Sequence, residues 1–214
     1  MLKEMILAHR GLWDIQEEMN TRQALFLAIE KGFGLETDLR KDNKGEIIIS
    51  HDNIKKGESR LYLSELLEFY KQLNSTSWLA LNIKEDGLGA EIRELILENN
   101  IKNYFLFDMT IPDLLLINKL NLNAFARKSI YEDPSLQRDL CDGLWIDCFK
   151  GEILKAIEIE SLAMIHKNIA FVSPELHGFN EDELWNIIKG LAVKSSNVMI
   201  CTDLPYKANY YFHE

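Results

Sequence analysis

Residues 5–52 open with MILAHRG (5–11), pass through ALFLAIEKG (24–32), and close with FGLETDLR (33–40) and EIIISHD (46–52). The first stretch is a short apolar run, the second carries Ala24, Leu25, Leu27, Ala28 and Ile29 at helical spacing, and the third is apolar again. Strand, helix and strand in that order predict two parallel strands with a helix packed across them. Each apolar run also ends on ionisable side chains: His9-Arg10, Glu36 with Asp38, and His51-Asp52. Such groups are expensive to bury unpaired, so three of these endings in succession mark a site rather than a core.

The same rhythm continues along the chain. Further strand candidates lie at 78–84, 103–107, 123–126, 143–147, 169–172 and 197–202. Helical faces fall between them, among them Leu63, Leu66, Leu67 and Tyr70, and Ile153, Ala156, Ile157, Ser161 and Ile165. Asn20, Ser64 and Asn180-Glu-Asp-Glu provide helix-start signals. With 46–50 counted as a hairpin strand appended to the second strand, the pattern predicts a single α/β domain over 1–214, a compact (β/α)8 TIM barrel. There is no Pro/Gly/Ser-rich linker and no room for a large insertion domain. Only 203–214 follow the last strand, so the last helix is expected to be truncated or missing. Either the barrel is left partly uncovered there or a partner covers it, for instance a second copy in a homodimer through the aromatic tail Tyr206, Tyr210, Tyr211 and Phe212. The competing architecture, an open doubly wound sheet, calls for a Gly-rich strand-to-helix turn that the sequence lacks.

Composition narrows the function. The 214 residues are 47% hydrophobic and 27% charged, with a net charge of −10, the profile of a soluble globular protein. That balance opposes a nucleic-acid groove and stable association with anionic membranes. It leaves room for an anionic substrate, because a bound divalent cation reverses the sign of a pocket locally. Cys141, Cys148 and Cys201 have no paired ligand spacing and are expected as buried reduced thiols. The apolar run ahead of His9 is too short for a signal-peptide core, so a cytoplasmic location is expected.

In a barrel of this kind the C-terminal strand ends form the active face. His9 and Arg10 follow the first strand, and Lys84 ends the third. Glu36 and Asp38 are two apart, so their carboxylates point to the same side. Two carboxylates in one mouth call for a positive partner, and Mg2+ or Ca2+ is the simplest. Such a site would bind a small-molecule phosphodiester, with Arg10, Lys84 and Arg127 holding phosphate charge. His9 and His51 would act as acid and base. Asp108, Asp147, Ser173, Glu175 and Asp203 would line the mouth, and their acidity suits a sugar, polyol or amine alcohol beside the phosphate. His177 reads as a loop residue and His166 as a helix-end residue.

The layout AHRG, Asn20-Thr21, KGFGLETDLR and IIISHD resembles the glycerophosphodiester phosphodiesterase family, within the phospholipase C-like phosphodiesterase barrels. That family carries His-Arg, Glu-x-Asp and His-Asp in this order. Thr202-Asp203-Leu204-Pro205 resembles its Thr-Asp-x-Pro after the last strand. The resemblance is strong over 6–52 and weaker at 78–84 and 199–205. It implies His9 and His51 as the acid/base pair, Glu36 and Asp38 as metal ligands, and Arg10 and Lys84 as phosphate binders. Three departures stand out. The family's Glu-x-Lys is Asn82-Ile83-Lys84 here, so the third metal ligand would be a neutral amide oxygen. The Glu before Asn-Thr is Met19, and the stretch 52–83 is too short for the helical insertion that grips glycerol-containing substrates.

The resemblance therefore implies a metal-dependent phosphodiester hydrolase acting on a glycerophosphodiester-like or sugar/polyol diester. The alternative is a non-catalytic barrel that binds a phosphorylated ligand or serves in assembly, its metal site weakened by Asn82. Sugar or aldol chemistry would need a Schiff-base lysine. Lys84 is the one strand-end lysine placed for that, and phosphate binding explains it more simply.

Overall fold

The computed structural model describes residues 1–53, 60–133, 140–150, 158, 162, 168–192 and 198–213. Eight parallel strands make the barrel wall: β1 (Ile6–His9), β2 (Gly34–Lys41), β4 (Leu79–Ile83), β5 (Tyr104–Phe107), β6 (Phe125–Lys128), β7 (Gly143–Ile146), β8 (Asn168–Val172) and β9 (Val198–Thr202). The short β3 (Ile47–Ile49) pairs antiparallel with β2, as the appended hairpin required. The strands run in the order β5-β4-β2-β1-β9-β8-β7-β6. The two ends of that order meet at the parallel bridge Leu106↔Ala124, which closes the barrel at a seam. This is the predicted (β/α)8 architecture.

Among the described residues, the helices described in full are α1 (Arg22–Glu30), α2 (Leu63–Gln72), α3 (Gly89–Glu98), α4 (Ile111–Lys119), α5 (Asp182–Ala192) and α6 (Pro205–His213). The helical face predicted over 153–165 and His166 lie outside the described residues. Four helices turn into the next strand by the same device. Gly32, Asn74, Asn100 and Asn121 are left-handed, with φ of 75°, 48°, 53° and 56°. The following N–H groups of Phe33, Ser75, Ile101 and Leu122 bond back to Ala28, Tyr70, Ile96 and Ile117. This is the Schellman ending, in which a left-handed residue satisfies carbonyls the helix leaves open. Phe33, Ile101 and Leu122 then enter the core.

Alternation along the strands separates two cores. Leu25, Leu35, Leu63, Leu81, Leu106 and Ile200 lie among the residues packed between strands and helices. Inside the barrel lie Met5, Leu7, Ala80, Phe105, Phe107, Phe125, Trp145, Ala170, Val172, Met199 and Cys201. The interior is uneven. Phe105 stacks on Phe125 at 3.8 Å directly across the β5–β6 seam, and Phe107 stacks on Trp145 at 4.1 Å. Aromatic stacking thus joins the two strands where the backbone ladder is thinnest.

The tail corrects the expected stub. Helix α6 has nine residues, as many as α1 and α4, and buries Ala208 and Phe212. Phe212 and Tyr211 pack on Trp185, while Tyr206 and Tyr210 stay exposed. The chain's own helix therefore occupies the flank expected to need a partner. Among the described residues no helix is long and apolar enough to cross a membrane. Cys148 and Cys201 are buried and Cys141 is half-buried, without disulfides.

Candidate active site

The alternation that places Leu7 inside the barrel places His9 one step higher, in the mouth. His9 is in register with Glu36, and Asp38 with Asn82 of the next strand. Glu36, Asp38 and Asn82 are only 2%, 0% and 6% exposed. Glu36 Oε2, Asp38 Oδ1 and Asn82 Oδ1 are buried without a hydrogen-bond partner. Each such atom costs about 1–3 kcal/mol if left unmade.

The Asp38 carboxylate is nonetheless surrounded by positive charge. Arg10 Nε lies 3.1 Å from Oδ2 and Lys84 Nζ 3.2 Å from Oδ1. Both are ion-pair distances, but neither contact has hydrogen-bond alignment, so Arg10 Nε and Asp38 Oδ1 remain unsatisfied. Asn20 Nδ2 does donate to Asp38 Oδ2 at 2.8 Å, and Thr37 Oγ1 donates to Asn20 Oδ1 at 2.7 Å. Burial first, and then the Asp38 charge, push the Glu36 carboxyl up to about 7, against the pull of His9, Arg10 and Lys84. Two carboxylates this deep lack positive charge at one end, next to Glu36.

The expected role of Asn20 as a helix start needs correction. The cap of α1 is Thr21, whose side chain accepts from the Ala24 N–H at 3.3 Å. Asn20 instead adopts φ of 59° and turns its amide onto Asp38. Arg10 and Asp108 are also left-handed, at 58° and 70°. Non-glycine residues in that region are strained by order 1 kcal/mol or more and gather at functional sites. At Gly11, φ is 99° and a Cβ would come within 2.6 Å of the Ala24 carbonyl carbon. Only glycine permits the Arg10 turn to lie against α1.

His9 is held from behind. Its Nδ1 lies 2.7 Å from Asp203 Oδ1, and its carbonyl accepts from Trp13 Nε1 at 2.9 Å. With Nδ1–H donated to Asp203, Nε2 is presented to the mouth, 3.9 Å from Glu36 Oε2. Burial alone would lower the His9 pKa, but the Asp203 hydrogen bond with the Glu36 and Asp203 charges outweighs it, and the net shift is upward. Asp203 is supported in turn by Glu175, which accepts the Asp203 N–H at 3.2 Å and hydroxyl hydrogen bonds from Thr202 and Ser173. Trp185 Nε1 donates to Ser173 Oγ at 2.7 Å. Sequence reasoning gave Asp203 and Glu175 no more weight than other lining residues. The Thr-Asp-x-Pro stretch carried a signal for Asp203, whereas Glu175 had none, because its role depends on strand neighbours.

Two other predicted residues sit apart from this cluster. His51 lies on the rim with its side chain 44% exposed, its Nδ1 2.9 Å from Asp52 Oδ1 and its carbonyl accepting from Arg40 Nε at 3.0 Å. Arg127 reaches the mouth from β6, but Asp108 takes its Nε at 2.9 Å and a terminal nitrogen as well.

A divalent cation can be tested against these donors. Among the described residues no group of three His, Cys, Asp or Glu side chains has metal-holding geometry. The third oxygen here comes from an amide, and the three orphaned oxygens of Glu36, Asp38 and Asn82 form the all-oxygen set a hard cation takes. The donor set fits Mg2+ or Ca2+, with two carboxylates and one neutral amide oxygen.

No family model and no curated protein matches the chain. Solved structures do match over nearly its whole length. A Galdieria sulphuraria protein assigned as a glycerophosphodiester phosphodiesterase aligns with a TM-score of 0.77 at 16% identity, covering 98% of this chain and 97% of that one. A glycerophosphodiester phosphodiesterase from Parabacteroides distasonis aligns at 0.71 and 16%, covering 98% and 96%. An Oleispira antarctica phosphodiesterase, solved with the product sn-glycerol-3-phosphate, aligns at 0.69 and 16%, covering 98% and 97%. The chain has the fold of the glycerophosphodiester phosphodiesterase barrels, in agreement with the resemblance over 6–52.

Proposed function

We propose that the protein is a phosphoric diester hydrolase of the glycerophosphodiester phosphodiesterase type, cleaving a small alcohol–phosphate–alcohol linkage with a divalent cation. The observation that carries this reading is the set of three buried oxygens without a hydrogen bond beside His9 at the mouth of this barrel. Glu36, Asp38 and Asn82 would hold the cation, which when bound supplies charge stabilisation at the phosphoryl oxygens. Arg10 and Lys84 keep further donors for the phosphate. His9 takes or delivers a proton at Nε2, its tautomer fixed by Asp203. His51 is the second proton-transfer group in this reading, on the rim where water and alcohol exchange. The shared fold with a phosphodiesterase solved with sn-glycerol-3-phosphate supports a glycerophosphodiester-like substrate. Reduced thiols suit a cytoplasmic setting.

A second reading, a barrel that holds a phosphorylated ligand without turnover, draws on one observation. Arg10 and Lys84 already neutralise Asp38, so with Asn82 uncharged the site asks less strongly for a cation. Hydrolysis of bis(p-nitrophenyl) phosphate and a glycerophosphodiester panel, with and without Mg2+, Ca2+ and Mn2+, separates the two. Metal-dependent turnover lost in His9→Ala supports the hydrolase. Phosphodiester binding with neither turnover nor metal uptake by calorimetry supports the binding module.

A further inference from the structure

Across the mouth from Glu36 and Asp38, the ends of β5 to β8 carry a second polar cluster that the chemistry above leaves unused. Arg127 grips Asp108, which follows β5, through Nε at 2.9 Å and a terminal nitrogen. His177, in the 3-10 turn Pro174–His177 after β8, places Nε2 2.7 Å from Oδ1 of Asp147, which follows β7. The Phe149 ring links the two pairs, with its centre 5.4 Å from the Arg127 guanidinium carbon and 5.3 Å from the His177 ring. Tyr131 stands 6.1 Å from Phe149, further out on the rim. Asp147 is buried, while Arg127, Phe149 and His177 are half-buried and reach solvent.

The pairing limits what this quadrant can recognise. A cationic head group would need a carboxylate to spare and an open aromatic face. Asp108 and Asp147 are already engaged, Arg127 lies over Phe149, and Lys150 lies 5.3 Å over Tyr131. An alkyl chain would desolvate the Arg127–Asp108 ion pair and the His177–Asp147 hydrogen bond without compensation. A neutral polyhydroxylated alcohol meets neither obstacle. Each hydroxyl donates and accepts at once, so it joins an Arg–Asp or His–Asp pair without changing its charge, while the C–H face packs against the Phe149 edge.

We propose that this quadrant seats one alcohol of the diester, and that this alcohol is a neutral polyol, such as a cyclitol or sugar, rather than an amine alcohol or a lipid. The inference rests on the phosphodiesterase reading for its orientation, with the phosphate at Arg10 and Lys84 and the polyol opposite.

The test uses His177→Gln and Phe149→Leu, because Arg127 spans the barrel seam and its removal would disturb folding. Glycerophosphoinositol and glycerophosphocholine are compared as substrates, and free myo-inositol binding to the metal-free protein is followed by ligand-observed NMR. Both variants are expected to lower kcat/KM for the inositol diester about tenfold more than for the choline diester, mostly through KM. Both also weaken free inositol binding, whereas Phe149→Tyr keeps it near the wild-type level. Equal losses on the two diesters, or inositol binding indifferent to both variants, overturn the proposal. Inositol binding that depends on His177 and Phe149, in a protein that cleaves no diester, upholds the polyol seat and overturns the hydrolase reading instead.

Discussion

On the β1–β2–β4 side of the mouth, Glu36, Asp38 and Asn82 present three buried oxygens without a hydrogen bond, whereas on the β5–β8 side Asp108 and Asp147 are each hydrogen-bonded, to Arg127 and His177. The layers beneath differ as well. Gly34 and Ala80 stand below Glu36 and Asn82 on the same inward rows, while Phe105, Phe107, Phe125 and Trp145 fill the other side. Buried acids are tolerated in both places for opposite reasons. The second set is complete within the chain, so it rigidifies the rim and reads neutral groups. The first keeps three oxygens without a hydrogen bond even with Arg10 and Lys84 beside Asp38, and in the proposed reading that cost would be recovered as affinity for a cation.

The contrast should be sharpest in activity. His9→Ala is expected to lower kcat by about 10²–10⁴, while His177→Gln keeps kcat within about tenfold and acts on KM. Steady-state kinetics on one diester reads both, and equal kcat losses would erase the distinction between the two sides.

Stability should show the reverse. Phe105→Ala removes a ring stacked across the seam and is expected to cost about 3–5 kcal/mol by urea denaturation. A loss below about 1 kcal/mol would mean the seam is held by its backbone bridge instead.

Asp203→Asn is expected to lower kcat/KM about a hundredfold by freeing the His9 tautomer. It also removes the main influence raising the His9 pKa, so the limb of the pH–rate profile governed by His9 moves to lower pH. The sign for stability follows from the same shift. In the wild type, His9 stabilises the fold fully below its ordinary value of 6.5, and this is lost as pH rises through the raised folded value. Thermal unfolding followed across that range should show this slope in the wild type and a flatter one in Asp203→Asn.

The smallest change concerns the metal. Asn82→Glu adds a third carboxylate where an orphaned amide oxygen stands, and is expected to tighten Mg2+ or Ca2+ binding about tenfold in calorimetry. It should also destabilise the metal-free protein by crowding like charge beside Glu36 and Asp38. Unchanged cation affinity would place the metal elsewhere in the mouth.

The sequence by itself determined the barrel, because hydrophobic periodicity is local: strand, helix and strand recur, and β3 falls out as an appended hairpin. It determined the inward pair of Glu36 and Asp38 by the two-residue spacing of a strand, and His9 by its place after MILA. The tertiary structure decided what those side chains meet. Asn20 looked like a helix cap because helix-start signals are read from neighbours in sequence, yet its amide crosses to Asp38, eighteen residues away. Asp203 reaches His9 from 194 residues along the chain, since closing the barrel makes the last strand a neighbour of the first. The pairing of Arg127 with Asp108, and the absence of a hydrogen bond at Glu36 Oε2, arise the same way. Which ions find partners depends on barrel closure, which no local window of sequence contains.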